Sequence, residues 1–355
     1  MNGKLSEFTP NYMNIRAAAY NRIPDRMPLY EHIISDTVME ELSGKKFRHL
    51  YNGDIQDKTE YFKHYCGFFR EMGYDSVSFE GCIGLALPYS GCLGAHRESV
   101  IHGYGDFERY PWDSVPDAYF AMYGEYFEAL GKAMPEGMKA IGGVGNGVFE
   151  CVEDITGYMN LCYISSDDPE LYAALFRKMG DVSLAIWKRF MELYGGIYCV
   201  LRFGDDLGFK TSTLISPDDI RRHVIPQYAR IIALVHSYDK PFLLHSCGSI
   251  FTVMPDIIRE AKIDAKHSNE DGIAEFPVWI EKYGREIGNF GGLDTDTLCR
   301  RSPPEIRDRT KEVLGRCKKR GGIAFGSGNS IPDYVPADHY LEMVNTAREY
   351  RGDFS

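Results

Sequence analysis

The sequence predicts an α/β fold: a (β/α)8 TIM barrel with an N-terminal helical extension and a long loop insertion after the second strand. Three observations carry this. Short apolar runs alternate with helical patterns eight times along 355 residues, the rhythm of parallel strands joined by helices. That length suits one such barrel. The glycine-rich loop that a doubly wound open sheet carries after its first strand is missing. We therefore read residues 1–355 as a single barrel domain.

The elements follow in order. Residues 1–25 are a helical lead-in, with Arg16 and Arg22 spaced along it. Pro28 to Tyr30 is the first strand candidate, ending at Glu31 and His32. SDTVMEELSG is a helix opened by Ser35 or Asp36 and closed by Gly44. The helix DKTEYFKHYCGFFREMG carries aromatic residues at helical spacing, a core stripe. GYDSVSFEG is the second strand and ends in Glu80. Residues 81–115 are rich in Gly, Pro and aromatics with little periodicity, so a lid-like insertion is expected. Tyr89, Tyr104 and Tyr110 would cover the barrel mouth. The helix AYFAMYGEYFEALGKAM leads to the third strand, MKAIGGVGNGVFE, ending near Asn146. Its GVGNG lacks the G-x-G-x-x-G spacing of a dinucleotide site.

Helices run through SSDDPELYAALFRKMGDVSLAIWKRFMELYG, capped by Asp167 or Asp168 with Pro169 in the first turn. IYCVLRFGDDLG, the fourth strand, ends in Asp205 and Asp206. The helix SPDDIRRHVIPQYARIIALVHSYD, capped by Ser216, leads to PFLLHSCG, the fifth strand, ending in His245 and Cys247. After VMPDIIREA, the sixth strand IDAKHSNED ends in His267, Asn269 and Glu270. After PVWIEKYGR, the seventh, EIGNFGGLDTD, ends in Asp294. SPPEIRDRTKEVLGRCKKRGG precedes the eighth strand, GIAFGSGNS, ending in Asn329, and PADHYLEMVNTAREYR closes the chain.

Composition narrows the function. Hydrophobic residues make up 44% of the chain, enough for a sizeable core, and no apolar run approaches a membrane span. The net charge of −11 comes from 40 basic and 51 acidic residues, with the basic ones dispersed, which argues against nucleic acid. Nine cysteines without a CxxC pair read as reduced thiols. The start MNGKLSEFTPNYMN lacks a signal-peptide pattern. A cytoplasmic protein is expected.

In a barrel of this kind, chemistry sits where strands give way to the following loops. His245 and Cys247 lie two apart on a strand and share a face, and sulfur beside imidazole nitrogen suits zinc. Glu80, Asp206 or Glu270 can complete the sphere; we name His245, Cys247 and Glu80 as the metal set. Asp206, Glu270 and Asn329 are the candidate catalytic residues. Period two places Asp206 with Gly204 and Arg202 on the luminal face, and Asp205 with the bulky Phe203 on the other.

The stretches NRIPDRMPLYEH, FGDDLGFKTSTLISPDDIRRHVIPQYARII, PFLLHSCGSI and FGSGNSIPDYVPADHYLEMV carry a resemblance. Over most of its length the chain resembles the uroporphyrinogen decarboxylase superfamily. Two branches share the pattern: cofactor-free decarboxylases of tetrapyrrole synthesis, and zinc-dependent methyltransferases that work with a corrinoid protein. The His-x-Cys-Gly of His245, Cys247 and Gly248 is similar to the second branch. The resemblance thus implies a zinc-dependent methyltransferase moving a methyl group between a corrinoid protein and a thiol or small methylated compound. The remaining ligand of that branch is often a cysteine after the last strand; Asn329 stands there, a departure. The decarboxylase branch has an arginine-rich N-terminal segment, matched thinly by Arg22 and Arg26. A metal-free decarboxylase using Asp205 or Asp206, and a non-catalytic small-molecule-binding barrel, are the alternatives. The implied partners are a small-molecule substrate and a corrinoid protein, with no nucleic acid and no membrane. The oligomeric state is open, a homodimer included.

Overall fold

Seven parallel strands curl around one axis in sequence order in the computed structural model, which describes residues 8–94, 96–317 and 321–353. They are β1 (Ser76–Cys82), β2 (Lys139–Gly145), β3 (Tyr198–Gly204), β4 (Phe242–His245), β5 (Ala265–His267), β6 (Gly288–Leu293) and β7 (Ile323–Ser327). The eighth place is taken by residues 28–32. Tyr30 N–H donates to Phe325 O at 2.9 Å, and Phe325 N–H donates to Pro28 O at 3.0 Å. Toward β1 this segment is held by a side chain, Ser78 Oγ donating to Glu31 O at 2.5 Å. The expected first strand is therefore reduced to a bridge at Leu29; Pro28 brings no N–H to a ladder. With eight places filled, the architecture is a (β/α)8 barrel.

The lower lumen is packed with Tyr30, Ile141, Val200, Leu243, Ala265 and Phe290. Helix Met13–Ala19 plugs that end, adding Ile15, Ala18 and Ala19 to the same cluster. It approaches so closely that a Cβ on Gly288 would stand 2.3 Å from Ala18 O. Outside the strands, helices such as Ile55–Glu71, Val115–Ala133, Pro169–Tyr194 and Ala337–Tyr350 bury one apolar stripe each, as amphipathic helices must. Ser35, Asp168 and Ser216 accept from the first-turn N–H groups of their helices.

Two helices differ in detail from the sequence reading. A π-helical turn, Ile220–Val224, interrupts the helix that continues as Ile225–Ser237. Pro226 supplies no N–H there, and the widened turn absorbs the break. A second π-helical turn, Ile257–Ala261, ends at Lys262 with φ 62°. Between β2 and the long helix Pro169–Tyr194 lie two further helices, Val148–Thr156 and Tyr158–Asp167, separated by Gly157.

Residues 81–115 contain two short helices, Ile83–Ala86 and Tyr104–Arg109, and a 3-10 turn, Trp112–Ser114. They are tied to helix Val148–Thr156 by Val100 N–H to Ile155 O at 2.8 Å and Leu93 N–H to Asp154 Oδ1 at 2.9 Å. That helix follows β2, so the insertion stands at the C-terminal end of the strands. Of its tyrosines, Tyr89 lines a cavity at this end together with Asn146 and Glu150. Tyr110 is buried, with its hydroxyl donating to Pro88 O at 3.0 Å and its ring 4.5 Å from Trp112. Tyr89 and Tyr104 are 75% and 45% exposed. The aromatic residues build the insertion's own core and outer surface. Among the described residues, no helix is long and apolar enough to cross a membrane.

Candidate metal centre at the barrel mouth

β4 delivers His245 to the lumen, and the chain then turns over the strand ends through Cys247 and Gly248. Gly248 has φ 80°, and a Cβ there would lie 2.1 Å from the carbonyl carbon of Gly208, so only glycine fits. The loops after β3 and β4 are joined: Asp205 N–H donates to His245 O at 2.9 Å, and Ser249 N–H to Phe209 O at 2.7 Å. This brings Asp206 alongside. Cys247 N–H donates to Asp206 Oδ1 at 2.8 Å.

Three donor atoms converge there. His245 Nε2 is 3.5 Å from Cys247 Sγ and 3.8 Å from Asp206 Oδ1. Nitrogen and sulfur bound tetrahedrally to one zinc sit about 3.5 Å apart, given bonds of about 2.0 and 2.3 Å. The residues fit the ion. Among the described residues, a second group, His32, His245 and His267, shares His245 with the first; in each group the ligand atoms lie within 4.8 Å of one another.

The sulfur is surrounded by donors. Asn329 Nδ2 donates to Sγ at 3.4 Å and Ser268 Oγ at 3.7 Å. Glu270 Oε1 accepts from Gly248 N–H at 3.3 Å. Five of the six residues named from sequence, Asp206, His245, Cys247, Glu270 and Asn329, thus stand around one loop. Burial pushes the Cys247 thiol up; a bound cation acts in the opposite sense and favours the thiolate.

Below the sulfur lie the other two histidines. His245 Nδ1 is 2.8 Å from His267 Nδ1, and His267 Nε2 is 3.2 Å from Ser327 O. His32 stacks on His245 with ring centres 3.9 Å apart and planes 14° apart. Burial holds His32 and His245 well below the usual histidine range and His267 down to about 3. All three are neutral near pH 7, the form that binds metals.

Glu80 is the exception among the six. Arg202 Nε and Nη2 donate to Glu80 Oε2 at 3.0 and 2.8 Å, and Nη1 donates to Tyr30 OH at 2.7 Å and Ser78 Oγ at 3.2 Å. Arg202 is fully buried, and a buried guanidinium requires a counter-charge. Glu80 meets that need and belongs to neither donor group. Its assignment as a metal ligand is corrected accordingly.

Asp205 points the other way. It accepts from Phe149 N–H at 3.0 Å, Glu150 N–H at 2.7 Å and Tyr228 OH at 2.5 Å, so it caps helix Val148–Thr156 from outside the segment. Burial pushes its carboxyl up to about 7. Phe203 lies in the same outer layer, 4.8 Å from Tyr228 and 4.8 Å from Phe242. Sequence reasoning missed Glu150. Its Oε1 accepts from Asp206 N–H at 3.1 Å and its Oε2 from Asn146 Nδ2 at 2.8 Å. Burial, then Asp205 and Asp206, hold this carboxyl well above its ordinary range. An acid in the first turn of a helix reads in sequence as dipole compensation, which conceals such a role. Two cavities flank the centre. One of about 320 Å³ is lined by His32, Tyr51, Tyr61, Tyr65 and Arg202. Another of about 550 Å³ is lined by Leu85, Tyr89, Arg97 and Glu150.

The sequence model of the uroporphyrinogen decarboxylase (URO-D) family matches residues 83–350. A curated relative, the uroporphyrinogen decarboxylase of Streptomyces avermitilis, is 24% identical over 181 residues, 50% of this chain and 46% of that protein. That of Streptomyces griseus subsp. griseus is 24% identical over 186 residues, 51% and 47% of the two. The chain spans about half the length of the curated relatives it matches. Among solved structures, a methyltransferase from Methanosarcina mazei superposes with a TM-score of 0.69 at 16% identity, covering 95% of this chain and 98% of that one. A putative vitamin-B12 independent methionine synthase from Listeria monocytogenes gives 0.51 at 11% identity, covering 92% and 99%. At these identities the two structures establish the fold.

Proposed function

The chain belongs to the uroporphyrinogen decarboxylase family, and from that premise we propose that it is a zinc-dependent methyltransferase. It would act with a corrinoid protein on a small methylated compound or thiol. The observation that carries this reading is the convergence of Asp206 Oδ1, His245 Nε2 and Cys247 Sγ within 4.8 Å of one another, with nitrogen and sulfur at the spacing one tetrahedral zinc would give. Three protein donors leave a fourth position for substrate, the pattern of a catalytic site. The Asp206 side chain is 42% exposed, so the centre meets solvent on the mouth side.

Bound there, zinc would supply Lewis acidity toward a methyl donor's ether oxygen or an acceptor thiol. The chain's own groups do the rest. Asn329 and Ser268 hold the sulfur through hydrogen bonds. Glu150 fixes the backbone at Asp206, and Asp206 or Glu270 takes the proton. The tyrosine-lined cavity beside His32 would receive the apolar body of a small substrate. The name of the Methanosarcina mazei neighbour supports the same reaction class.

The names of the Streptomyces relatives support decarboxylation instead. The charges at the mouth disfavour it. Arg202 is already engaged by Glu80, while Asp206 and Glu270 add negative charge. A polycarboxylate substrate would leave buried carboxylates unpaired, at several kcal/mol each.

The test supplies free methylcobalamin and a small thiol to zinc-loaded protein. The thiolate sulfur takes the methyl group and cobalt keeps the electron pair of the broken bond. The reading expects loss of the methylcobalamin spectrum with one methyl thioether formed per corrinoid consumed. Release of carbon dioxide from uroporphyrinogen, with no methyl transfer, would overturn it.

A further inference from the structure

We infer that His267 is a positioning residue: through Ser327 O it fixes the proton on Nδ1 of His245 and leaves His245 Nε2 bare toward Asp206 and Cys247. The inference deepens the metal-centre reading above, but its direct readout requires no metal.

A backbone carbonyl can only accept, so the contact of 3.2 Å between Ser327 O and His267 Nε2 requires a hydrogen on that nitrogen. The other nitrogen of His267 then meets His245 Nδ1 at 2.8 Å, a distance at which one of the two must donate and the other accept. A hydrogen on His267 Nδ1 as well would make that ring a cation. It is fully buried among the rings of Tyr30, His32 and His245, and a buried cation without a paired counter-charge is costly. The neutral arrangement is the one this surrounding favours: His267 Nδ1 accepts and His245 Nδ1–H donates. A neutral His245 with its hydrogen on Nδ1 carries its lone pair on Nε2. That atom faces Sγ of Cys247 at 3.5 Å and Oδ1 of Asp206 at 3.8 Å.

The same distances show His245 and His267 hydrogen-bonded to each other in the deeper group of His32, His245 and His267. Two imidazole nitrogens on one tetrahedral zinc stand about 3.3 Å apart, given bonds of about 2.0 Å. The Nδ1 atoms of His245 and His267 are 2.8 Å apart, the spacing of a hydrogen bond. His32 fits the same picture: stacked flat on His245, it restricts the ring plane while His267 sets the proton. A histidine that ligates through one nitrogen is oriented by what its other nitrogen meets. Here that partner is a second histidine, itself oriented by a backbone carbonyl.

The experiment is nitrogen-15 NMR of the imidazole rings in metal-free full-length protein, with zinc titration beside it. In the parent, His245 should show the Nδ1–H tautomer and His267 the Nε2–H tautomer. His267→Phe removes the acceptor; His245 should shift toward Nε2–H, the form a neutral histidine favours in water, and zinc affinity should fall roughly 10- to 100-fold. His267→Gln can donate to Ser327 O and accept from His245 Nδ1–H, and should restore both the tautomer and most of the affinity. An Nε2–H tautomer on His245 in the parent overturns the inference, as does an unchanged tautomer in His267→Phe. If the phenylalanine variant does not fold, the parent tautomers and the glutamine variant decide the matter. If the parent binds no zinc but His245 carries its hydrogen on Nδ1, the metal reading fails and this inference stands.

Discussion

Asp205 and Asp206 are consecutive and serve different layers. Alternation along β3 places Asp206 with Arg202 on the luminal side and Asp205 with Phe203 outside, and this was legible in the sequence from period two and side-chain bulk. The consequences of replacing them should separate. Asp205→Asn loses acceptor capacity against Phe149 N–H, Glu150 N–H and Tyr228 OH, which should cost about 1–3 kcal/mol of stability and leave zinc content unchanged. Asp206→Asn keeps an oxygen for Cys247 N–H but loses the charge. Its melting temperature should stay near that of the parent, while zinc affinity drops and transfer slows by roughly 10²-fold or more. Thermal melts and turnover of the two variants, side by side, check this; full turnover in Asp206→Asn would remove that residue from the centre. The Arg202–Glu80 pair was not legible. Glu80 sits on a strand end that reads as a site candidate, Arg202 reads only as a residue of the luminal face, and only the folded distance shows that one is spoken for by the other.

At the scale of elements, the strands were readable because parallel strands buried on both faces run as short apolar segments between helical patterns. The exception is residues 28–32, which join β7 by backbone and β1 through a side chain. That closure involves a buried acid. Ser327 donates to the Glu31 carboxyl through its hydroxyl and through its N–H, the latter at 3.0 and 3.2 Å. Burial, the largest influence, outweighs these donors and pushes Glu31 up to about 8. The sign follows from linkage. The folded state holds a proton that the unfolded chain releases near 4.5, so this contribution is complete below that pH and is lost as pH rises toward 8. The loss is at most about 1.4 kcal/mol per pH unit. Glu31→Gln keeps an oxygen to accept from Ser327 and carries no charge at either pH. Denaturant melts at pH 5 and pH 8 should therefore show the parent losing stability relative to the variant. A parent-to-variant difference that does not change between the two pH values would mean Glu31 is ionised in the fold.

For the molecule as a whole, the lower end is sealed by helix Met13–Ala19, and the chemistry is gathered at the other end from β1, β3, β4, β5, β7 and residues 28–32. Sequence alone identified the strand ends but could not rank them, because contacts such as Arg202 to Glu80 or Asn329 to Cys247 join residues 122 and 82 positions apart. The His-x-Cys pair gained weight only when Asp206 arrived beside it across the loops pinned at Gly208 and Gly248. Zinc bound per chain in purified protein, the parent measured beside Cys247→Ser, tests that convergence most directly. Thiolate is the soft member of the donor set and an alcohol replaces it poorly. The expected result is about one zinc per chain in the parent and a large loss in a variant whose melting temperature is little changed. A parent free of zinc after zinc loading, or a Cys247→Ser protein that keeps its full complement, would contradict it.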